Sequence, residues 1–478
     1  MFRTEPVRVI AAVLLLWFAY PVHAQTTELP EPVSKALVRY KLPPASFSAF
    51  VQKVGAATPL LAFNENVPRN PASTMKLLTT FVALEELGPT YQWRTEVYAD
   101  GQIKDGVLDG DLLVKGYGDP LLLTERLWLL QRELRSNGVQ QINGDLVIDN
   151  SWFAREELDP GAFDGQEYRV YNVLPDALLV NFQSVNFIFR PDPARRTIGI
   201  LSDPVLAEVR IENNMRLFNG ECSSGRSSIN MAVSGEPGHP RVTFTGQLAN
   251  NCSEYQLVRS LLDGPGYAYA AFRGLWEEQG GSIKGQMRLG QVPASKKPLL
   301  TFESPPLAEV IRPVNKFSNN VMTRQIFLTL AAEKLGAPGT LEKGRQVMAD
   351  ALARRGLDFP ELRIGNGAGL SRDNRISARS LGRLLLAARN SPFGAEFQAS
   401  LSLAGLDGTT RRRFQKDSLA GQMHLKTGTL DGVSAIAGYV RDQSGAEYVV
   451  VAIANQPKAT WGGGQEAQNA LLRWVNRL

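Results

Sequence analysis

The middle of this chain, between about residues 93 and 300, differs in pattern from the two ends and thereby limits what the whole chain can fold into. It carries short strand-like pieces interrupted by Gly, Pro and Asn, with one convincing helix in residues 121–138. Both ends carry longer patterns, including the period-two run "SFSAFVQKV", the apolar strand "EYVVVAIAN" and the amphipathic helix "GQEAQNALLRWVNRL". The sequence therefore predicts an α/β (α+β) domain that is interrupted by a long, mainly β insertion.

The first residues have the features of a secretory signal peptide. Arg3 and Arg8 make the start basic, the run from Val9 to Tyr20 is apolar, and Ala24 completes a small-residue cleavage pattern. We expect cleavage after residues 1–24, because the apolar run is shorter than the roughly 20 residues that span a bilayer. Retention as a membrane anchor is the alternative. No integral membrane segment is expected later in the chain, so we expect the mature protein in the periplasm.

Charge and length exclude some classes of protein. The 52 basic and 47 acidic residues give a formal net charge of +5, which is too mild to predict nucleic-acid binding or strong membrane adhesion. The densest basic run, Arg411–Arg413, is better interpreted as a solvated turn. About 450 residues remain after the signal, which is long for one core and suggests two or three domains.

The two cysteines, Cys222 and Cys252, fit an exported protein. In an oxidising compartment they would close a loop of about 30 residues, which contributes roughly 3 to 4 kcal/mol of stability. Two unpaired, buried thiols are the alternative. Neither cysteine has neighbours that would make a thiol reactive, so the sequence favours a structural disulfide.

The stretch "NPASTMKLLTTFVALEELG" places Ser73 and Lys76 three positions apart, on one face of an apolar helix. At the start of the helix the Ser73 hydroxyl would feel the positive end of the helix dipole. A buried lysine beside it could lose its proton and act as the base that makes the serine nucleophilic. An N-cap serine followed by a lysine that extends to solvent is the alternative reading of this pair alone.

Two further motifs favour the catalytic interpretation. "KFSNNVMTRQIF" places Ser318 and Asn320 where a loop enters a helix, and "HLKTGTLDGVSAIAGYV" places Lys426, Thr427 and Gly428 at the start of a strand. Ser-x-x-Lys, Ser-x-Asn and Lys-Thr-Gly, in that order, are the three elements of the penicillin-interacting serine enzymes. The sequence therefore predicts acylation of a serine.

Each element has a separate predicted role. Ser73 would attack a carbonyl while Lys76 takes its proton, with Asn320 holding Lys76 and a substrate amide and Ser318 relaying a proton to the leaving nitrogen. The Lys426 ammonium and the Thr427 hydroxyl would bind a terminal carboxylate. Gly428 lacks a side chain, so substrate could lie along the strand edge. The backbone amides of Ser73 and Thr429 would then form the oxyanion hole.

Other chemistries lack the necessary residues. A Ser-His-Asp triad would need His239 or His424, because the third histidine, His23, belongs to the predicted signal peptide. His239 lies in a turn of the insertion and His424 in a strand. Two isolated histidines and two distant cysteines make no zinc cluster, and the glycine-rich stretches lack the ending of a phosphate-binding loop. No metal or other cofactor is predicted.

With these motifs, the chain resembles the class C low-molecular-mass penicillin-binding proteins, the D-alanyl-D-alanine carboxypeptidase/endopeptidase family. The resemblance rests on "NPASTMKLLTT", "NKFSNN", "GAGLSRDNRIS", "LDGTTRRRF" and "HLKTGTLDGVSAIAGYV". It implies a penicillin-binding, transpeptidase-like domain, an antiparallel sheet with flanking helices, formed by residues 25–92 and 301–478. Residues 93–185 with 280–300 would form one inserted domain, and residues 186–279 another.

The resemblance also implies a function. It indicates a periplasmic serine DD-peptidase that removes the terminal D-alanine from peptidoglycan stem peptides and cuts D-alanyl-diaminopimelate cross-links in muropeptides. β-Lactam antibiotics would acylate Ser73. The residues implied to recognise the stem peptide are Asp149 and Phe153, in "VIDNSWF", and Arg372, in "GLSRDN".

The chain departs from the family's pattern at three positions. Asn366 and Ala368 stand where relatives often have an acid and a hydroxyl, and Asp431 stands where a neutral residue is common. The preference for the third stem residue is therefore left open. Two alternative functions also remain: a cell-wall scaffold without turnover, and a β-lactamase that would use Glu156 or Glu157 to activate water.

Overall fold

A computed structural model describes residues 26–155, 158–222 and 227–478 of the chain. The predicted signal peptide, residues 1–24, and the two glutamates considered for β-lactamase activity, Glu156 and Glu157, lie outside the described residues. Within the described part, no helix is both long enough and apolar enough to cross a bilayer.

The described residues form ten α-helices and nineteen β-strands. The helices are α1 (Glu31–Arg39), α2 (Lys76–Leu87), α3 (Thr124–Ser136), α4 (Gly264–Glu278), α5 (Leu307–Lys316), α6 (Asn320–Leu335), α7 (Leu341–Arg354), α8 (Ala378–Asn390), α9 (Gly394–Ala399) and α10 (Gly463–Asn476). The strands are β1 (Phe47–Lys53), β2 (Leu61–Phe63), β3 (Arg94–Lys104), β4 (Val107–Gly116), β5 (Gln141–Ile142), β6 (Leu146–Asp149), β7 (Val185–Asp192), β8 (Thr197–Asp203), β9 (Arg210–Phe218), β10 (Ser228–Glu236), β11 (His239–Ala249), β12 (Tyr255–Arg259), β13 (Ser282–Ile283), β14 (Met287–Leu289), β15 (Leu300–Glu303), β16 (Ser402–Leu403), β17 (Met423–Leu430), β18 (Val433–Arg441) and β19 (Glu447–Asn455).

An antiparallel six-stranded sheet joins the two ends of the chain. Its strand order is β16-β17-β18-β19-β1-β2, so the hairpin near the N-terminus pairs with the last strand of the chain. The central strands β18 and β19 are buried along nearly their whole length because helices cover both faces. Helices α1 and α10 pack on one face and α8 packs on the other.

Helix α2 lies on the same side of the sheet as α8 and packs against α5, α6 and α7. Nine of its residues are buried, which explains why its sequence is apolar on all sides. It ends at Gly88, whose φ of 84° lies in the left-handed region, and Pro89 follows. The end of this helix is therefore fixed by local sequence.

The middle of the chain forms three further sheets. A seven-stranded sheet contains β3–β6 and β13–β15, and the two three-stranded sheets have the orders β12-β7-β8 and β10-β11-β9. The Cys222–Cys252 disulfide, which the sequence predicted, is present in this region. The predicted fold class, a helix-flanked antiparallel sheet interrupted by a mainly β insertion, is confirmed. The predicted domain limits stay predictions.

One prediction for the middle region was wrong. The sequence predicted a single helix there, but α4 forms a second one, starting at Gly264. The Asp263 side chain caps it by accepting a hydrogen bond from the Gly266 amide. Gly and Pro at its first positions resemble a turn signal, and its Ala- and Tyr-rich face shows no clear apolar periodicity, so the pattern concealed the helix.

Candidate active site

Ser73 lies in a tight turn immediately before α2. The turn is the 3-10 segment Ala72–Met75, and α2 begins at Lys76, so Ser73 precedes the α-helix and does not lie on its first turn as predicted. Ala72 has a φ of 46°, and its amide donates to Asn70 Oδ1 at 2.9 Å, which fixes the entry to the turn. Ser73 is partly exposed at the positive end of the helix dipole, as expected for a nucleophile that must meet substrate.

Lys76 is fully buried directly behind Ser73. Its Nζ lies 3.0 Å from Ser73 Oγ and 2.6 Å from Asn320 Oδ1, and it also donates to the Ala368 carbonyl. Burial, followed by the positive charges of Lys426 and Arg324, holds the pKa of Lys76 well below its usual value. An amine in this environment can accept a proton from the serine hydroxyl.

Ser318 and Asn320 reach the site from the loop that enters α6. Asn319 caps this helix, since its Oδ1 accepts from the Met322 amide at 3.0 Å. Ser318 has a φ of 61°, a left-handed conformation that is uncommon for a non-glycine residue. This conformation directs the Ser318 hydroxyl toward Lys426, whose Nζ donates to Oγ at 2.8 Å.

Lys426 lies on β17, beside the Ser318 hydroxyl, and is also fully buried. Its Nζ donates to the Thr427 carbonyl at 2.7 Å as well as to Ser318. Burial lowers the pKa of Lys426 to about 7. Thr427 donates a 2.8 Å hydrogen bond to Oγ1 of Thr409, which lies in the segment "LDGTTRRRF" but was not predicted as a site residue.

Gly428 brings the strand into contact with the serine turn. A Cβ at this position would lie 2.5 Å from the Pro71 carbonyl oxygen and 3.0 Å from the Ser73 amide nitrogen, so no side chain fits. Strand β16 pairs only with Leu425 and its neighbour His424, which leaves the following part of the β17 edge without a partner strand among the described residues. Thr429 lies on this part and is exposed.

Part of the insertion lies against the same site. Asn320 Nδ2 and Arg324 Nη2 donate to the Tyr171 carbonyl at 3.4 and 2.7 Å. The exposed Arg372 guanidinium lies 5.3 Å from the ring centroid of Phe163, in the same inserted segment. Neither Arg324 nor Phe163 was predicted as a site residue, although Arg324 follows Asn320 by one helical turn and that spacing is a signal for it.

Asp149 and Phe153 are not brought into this cluster. Asp149 is fully buried at the end of β6, where it accepts from Ser151 and from the Val292 amide and pairs with Lys115 Nζ at 3.4 Å. Phe153 is 5% exposed and packs against Gly339 in the main core. Their predicted roles in substrate recognition stay predictions.

The loop that carries the two sequence departures also contributes to the site. Asn366 accepts from the Ala368 amide at 3.2 Å and donates to the Leu370 carbonyl at 3.0 Å, which shapes the loop. This shape directs the Ala368 carbonyl toward Lys76. Ala368 contributes its backbone carbonyl, so its side chain gives no motif that would predict this contact.

The histidines and possible metal ligands lie elsewhere. His239 begins β11 at the surface, and His424 lies two residues before Lys426 on β17. Neither histidine hydrogen-bonds to Ser73 in the described structure. In the described residues, no group of three or more His, Cys, Asp or Glu side chains is arranged to hold a metal ion.

The fold and these contacts define a penicillin-interacting serine enzyme: a serine and a lysine one turn apart, a Ser-x-Asn loop and a Lys-Thr-Gly strand meet at one place. The family model described as "D-Ala-D-Ala carboxypeptidase 3 (S13) family" matches residues 29–478. The chain belongs to this family, so the predicted family and the predicted enzyme class, a serine-type D-Ala-D-Ala carboxypeptidase, are confirmed.

Individual relatives agree with this assignment. The chain is 30% identical over 432 residues to the D-alanyl-D-alanine carboxypeptidase of Actinomadura sp. (strain R39), covering 88% of this chain and 80% of the relative. It is 25% identical over 419 residues to the D-alanyl-D-alanine carboxypeptidase DacB of Haemophilus influenzae, covering 87% and 86%. The crystal structure of penicillin binding protein 4 (dacB) from Haemophilus influenzae superposes with a TM-score of 0.78 at 23% identity, covering 93% of this chain and 99% of that one.

Proposed function

We propose that this enzyme acts in the periplasm on peptidoglycan stem peptides, removing the terminal D-alanine and also cutting D-alanyl-diaminopimelate cross-links. One observation carries the proposal: Lys76 Nζ lies 3.0 Å from Ser73 Oγ, and the Ser318–Lys426 pair lies beside them. The D-Ala-D-Ala carboxypeptidase activity named for the relatives supports the same substrate class.

Acylation would begin at Ser73. In its neutral form, the Lys76 amine can donate to Asn320 and the Ala368 carbonyl while its lone pair faces the Ser73 hydroxyl. Lys76 takes the hydroxyl proton as Oγ attacks the carbonyl carbon of the penultimate D-alanine. The amides of Ser73 and Thr429 bind the oxyanion that forms, and this step leaves a tetrahedral intermediate.

The second half of acylation requires a proton on the leaving nitrogen. The Ser318 hydroxyl would supply it and take a proton from Lys426 Nζ, which donates to it. The proton that Lys76 took from Ser73 would replace the one that Lys426 gives up. The C–N bond then breaks, D-alanine leaves, and the peptidyl group remains as an ester on Ser73. Water then attacks this ester: its oxygen stays on the carboxyl group of the released peptide, and one of its protons passes to Ser73 Oγ and restores the hydroxyl.

Substrate would bind along the free edge of β17. An extended peptide can add to an unpaired strand edge through main-chain hydrogen bonds. Lys426 and Thr427 lie at the end of this edge that would receive the terminal carboxylate, and a carboxylate there would favour the charged form of Lys426. Arg372 is exposed, its carbonyl accepts from Asn70 just before the serine turn, and its guanidinium suits recognition of a second carboxylate. Asp149, being buried, has less access to substrate.

The location also belongs to the proposal. A leader with the features of a signal peptide in residues 1–24 supports export, and the Cys222–Cys252 disulfide supports an oxidising compartment. Inhibition by β-lactams is expected, because a β-lactam would acylate Ser73 by the same steps and leave an ester. A Haemophilus influenzae relative of this fold has been crystallised in complex with a β-lactam.

The proposal is tested with a labelled penicillin. Wild-type enzyme should form a covalent adduct that peptide mapping assigns to Ser73, and Ser73→Ala should form none. Ser444→Ala is the matched control, because its hydroxyl binds Asp442 in the turn between β18 and β19, away from the site. Adduct formation by Ser73→Ala at the wild-type rate would contradict the assignment.

Muropeptides separate the remaining alternatives. Loss of one D-alanine from monomers and conversion of cross-linked dimers to monomers, both identified by mass, are the expected results. A scaffold would bind these muropeptides without converting them. A β-lactamase would release hydrolysed penicillin rapidly instead of retaining the adduct.

A further inference from the structure

Arg324 is a buried cation that the steps above do not use. It is 6% exposed on α6, and its Nη1 and Nη2 donate to the carbonyls of Val173 and Tyr171 at 3.0 and 2.7 Å. Its Nε is buried and has no hydrogen-bond partner among the described residues. Among the described residues, no ion pair involves Arg324, so its charge is met only by carbonyl dipoles.

Burying the Arg324 charge costs more free energy than holding the inserted segment in place would require. Burying a cation without an anion carries a large desolvation penalty, which carbonyl dipoles offset only in part. A neutral glutamine could also donate hydrogen bonds to the Tyr171 carbonyl. The positive charge of Arg324 therefore calls for an explanation beyond holding the inserted segment in place.

The neighbourhood of Lys76 supplies one. Arg324 follows Asn320 by one helical turn, and Asn320 Oδ1 accepts from Lys76 Nζ at 2.6 Å. The other groups that face Lys76 are the Lys426 ammonium from β17, the Ser73 hydroxyl and the Ala368 carbonyl. Lys76 is thus surrounded by two other cations and neutral groups, and no carboxylate of the described residues pairs with it.

We propose that Arg324 is a positioning residue for acylation, a fixed buried charge that keeps the Lys76 amine in its neutral, proton-accepting form. The proposal rests on the proposed function, since it concerns the step in which Lys76 accepts the Ser73 proton. Unlike Lys426, which must respond to a substrate carboxylate, Arg324 is sealed under the inserted segment and keeps its charge when substrate binds.

The electrostatics agree with this geometry. Burial contributes most to lowering the pKa of Lys76, Lys426 contributes next, and Arg324 adds to both. Burial also lowers the pKa of Arg324, but only to about 10, so the guanidinium stays charged at neutral pH. Lys426, with a pKa of about 7, is only partly charged there. Arg324 is therefore the more constant of the two cations.

Arg69 provides a matched control within the same chain. It is also 6% exposed and is also held by uncharged groups, the carbonyls of Ala45 and Phe47 and the hydroxyl of Ser48. It is not among the charges that act on Lys76. Replacing either arginine removes one buried cation and its hydrogen bonds, but only one of the two changes the charge around Lys76.

The experiment measures the rate constant of acylation by a labelled penicillin from about pH 5.5 to 9.5. In wild-type enzyme the rate should rise with pH as Lys76 loses its proton. In Arg324→Gln this rise should move up by about one pH unit, so acylation is about tenfold slower on the acidic side and converges with wild type in alkali. Arg69→Gln should lower thermal stability without moving the profile.

Two further variants separate charge from contacts. Arg324→Lys keeps a cation but loses the paired carbonyl contacts, and its profile should stay close to wild type. Arg324→His, neutral above about pH 7, gives a second neutral variant if Arg324→Gln does not fold, and it should be displaced like Arg324→Gln in that range. Unmoved profiles in the neutral variants, or equal displacement in Arg324→Lys, would overturn the proposal.

Failure of this inference can be told from failure of the proposed function. If wild-type enzyme forms no adduct, or acylates at a rate independent of pH, the lysine-base mechanism itself is wrong. If the wild-type profile is present and only the variants fail to move it, the mechanism stands and Arg324 has a structural role alone.

Discussion

The catalytic site and the inserted sheets differ in whether their charged side chains have a partner of opposite charge. At the site, Lys76, Lys426 and Arg324 are buried and have no carboxylate partner in the described structure. In the sheets of the insertion, Arg190 pairs with Glu254 at 2.8 Å and Arg241 with Glu212 at 3.0 Å, and about half of each arginine side chain is exposed.

This difference separates charges that serve catalysis from charges that only support the fold. Exposed ion pairs are weak and replaceable, whereas a buried charge without a counter-ion is expensive and shifts the pKa of its neighbours. Strongly perturbed ionisable groups collect at functional sites for this reason. Asp149, one of the buried acids of the insertion, has a cation beside it in Lys115. A single uncompensated cation does not mark a site, since Arg69 is also buried among uncharged groups, but the group of three such side chains at Lys76 does.

The comparison is tested most strongly by Lys76→Met. We expect acylation by labelled penicillin to fall about a thousandfold, because the general base is lost. The free energy of unfolding should stay the same or rise, because a side chain of similar length replaces a buried amine that must otherwise be desolvated. Adduct formation and thermal unfolding measure the two effects.

The control for this variant is Lys35→Met. Lys35 has a side chain that is 75% exposed and pairs with Glu31 one turn earlier, so its replacement should change neither quantity by much. Acylation by Lys76→Met within threefold of wild type, or a large loss of its stability, would remove the distinction between the two regions.

Asp149→Asn probes the buried pair of the insertion and has the next largest expected effect. Burial alone would raise the pKa of Asp149, but hydrogen bonds from Ser151 and Val292 and the charge of Lys115 outweigh it, and the pKa lies below its usual value. Leaving Lys115 unpaired should cost about 3 kcal/mol of unfolding free energy. Acylation by penicillin should be unchanged.

The pH dependence of this loss has a definite sign. Because the pKa of Asp149 is lowered on folding, its carboxylate stabilises the fold above about pH 4, and the stabilisation is lost as the pH falls through the folded-state pKa. The difference between wild type and Asp149→Asn should therefore be largest at neutral pH and shrink in acid. An unchanged stability together with a raised KM for muropeptides would instead support the predicted recognition role.

The sequence predicted the fold at the ends of the chain because the signals there are local. Strand β1 follows from alternation, β18 and β19 from apolar runs on either side of a turn, and helix α10 from amphipathic periodicity. Helix α4 was missed because its glycine- and proline-containing start resembles a turn. Where packing rather than periodicity fixes an element, a pattern read from one chain does not reveal it.

The same limit applies to the site. The Ser73–Lys76 spacing lies within one turn, so the sequence could predict that contact, which the structure gives as 3.0 Å. Arg324 meets carbonyls about 150 positions earlier in the chain, and the Ala368 contribution is a backbone oxygen. Neither contact leaves a motif. Asp149 matches a family position by its neighbours in sequence, but its burial depends on how β6 packs.

Arg288→Met should give the smallest effect and sharpens the comparison from the other side. The Arg288 side chain is 48% exposed and binds two acids, Asp111 and, at 3.2 Å, Asp145. Because solvent screens such pairs, we expect a loss of at most about 1 kcal/mol of unfolding free energy, and no change in acylation. The loss should be smaller in about 1 M salt than in about 0.05 M salt, since the screening length falls from roughly 14 to 3 Å. Denaturant unfolding at the two salt concentrations measures this loss.

A loss of several kcal/mol that is independent of salt would show that the insertion also depends on fixed charges. Paired and unpaired cations would then no longer distinguish the two regions.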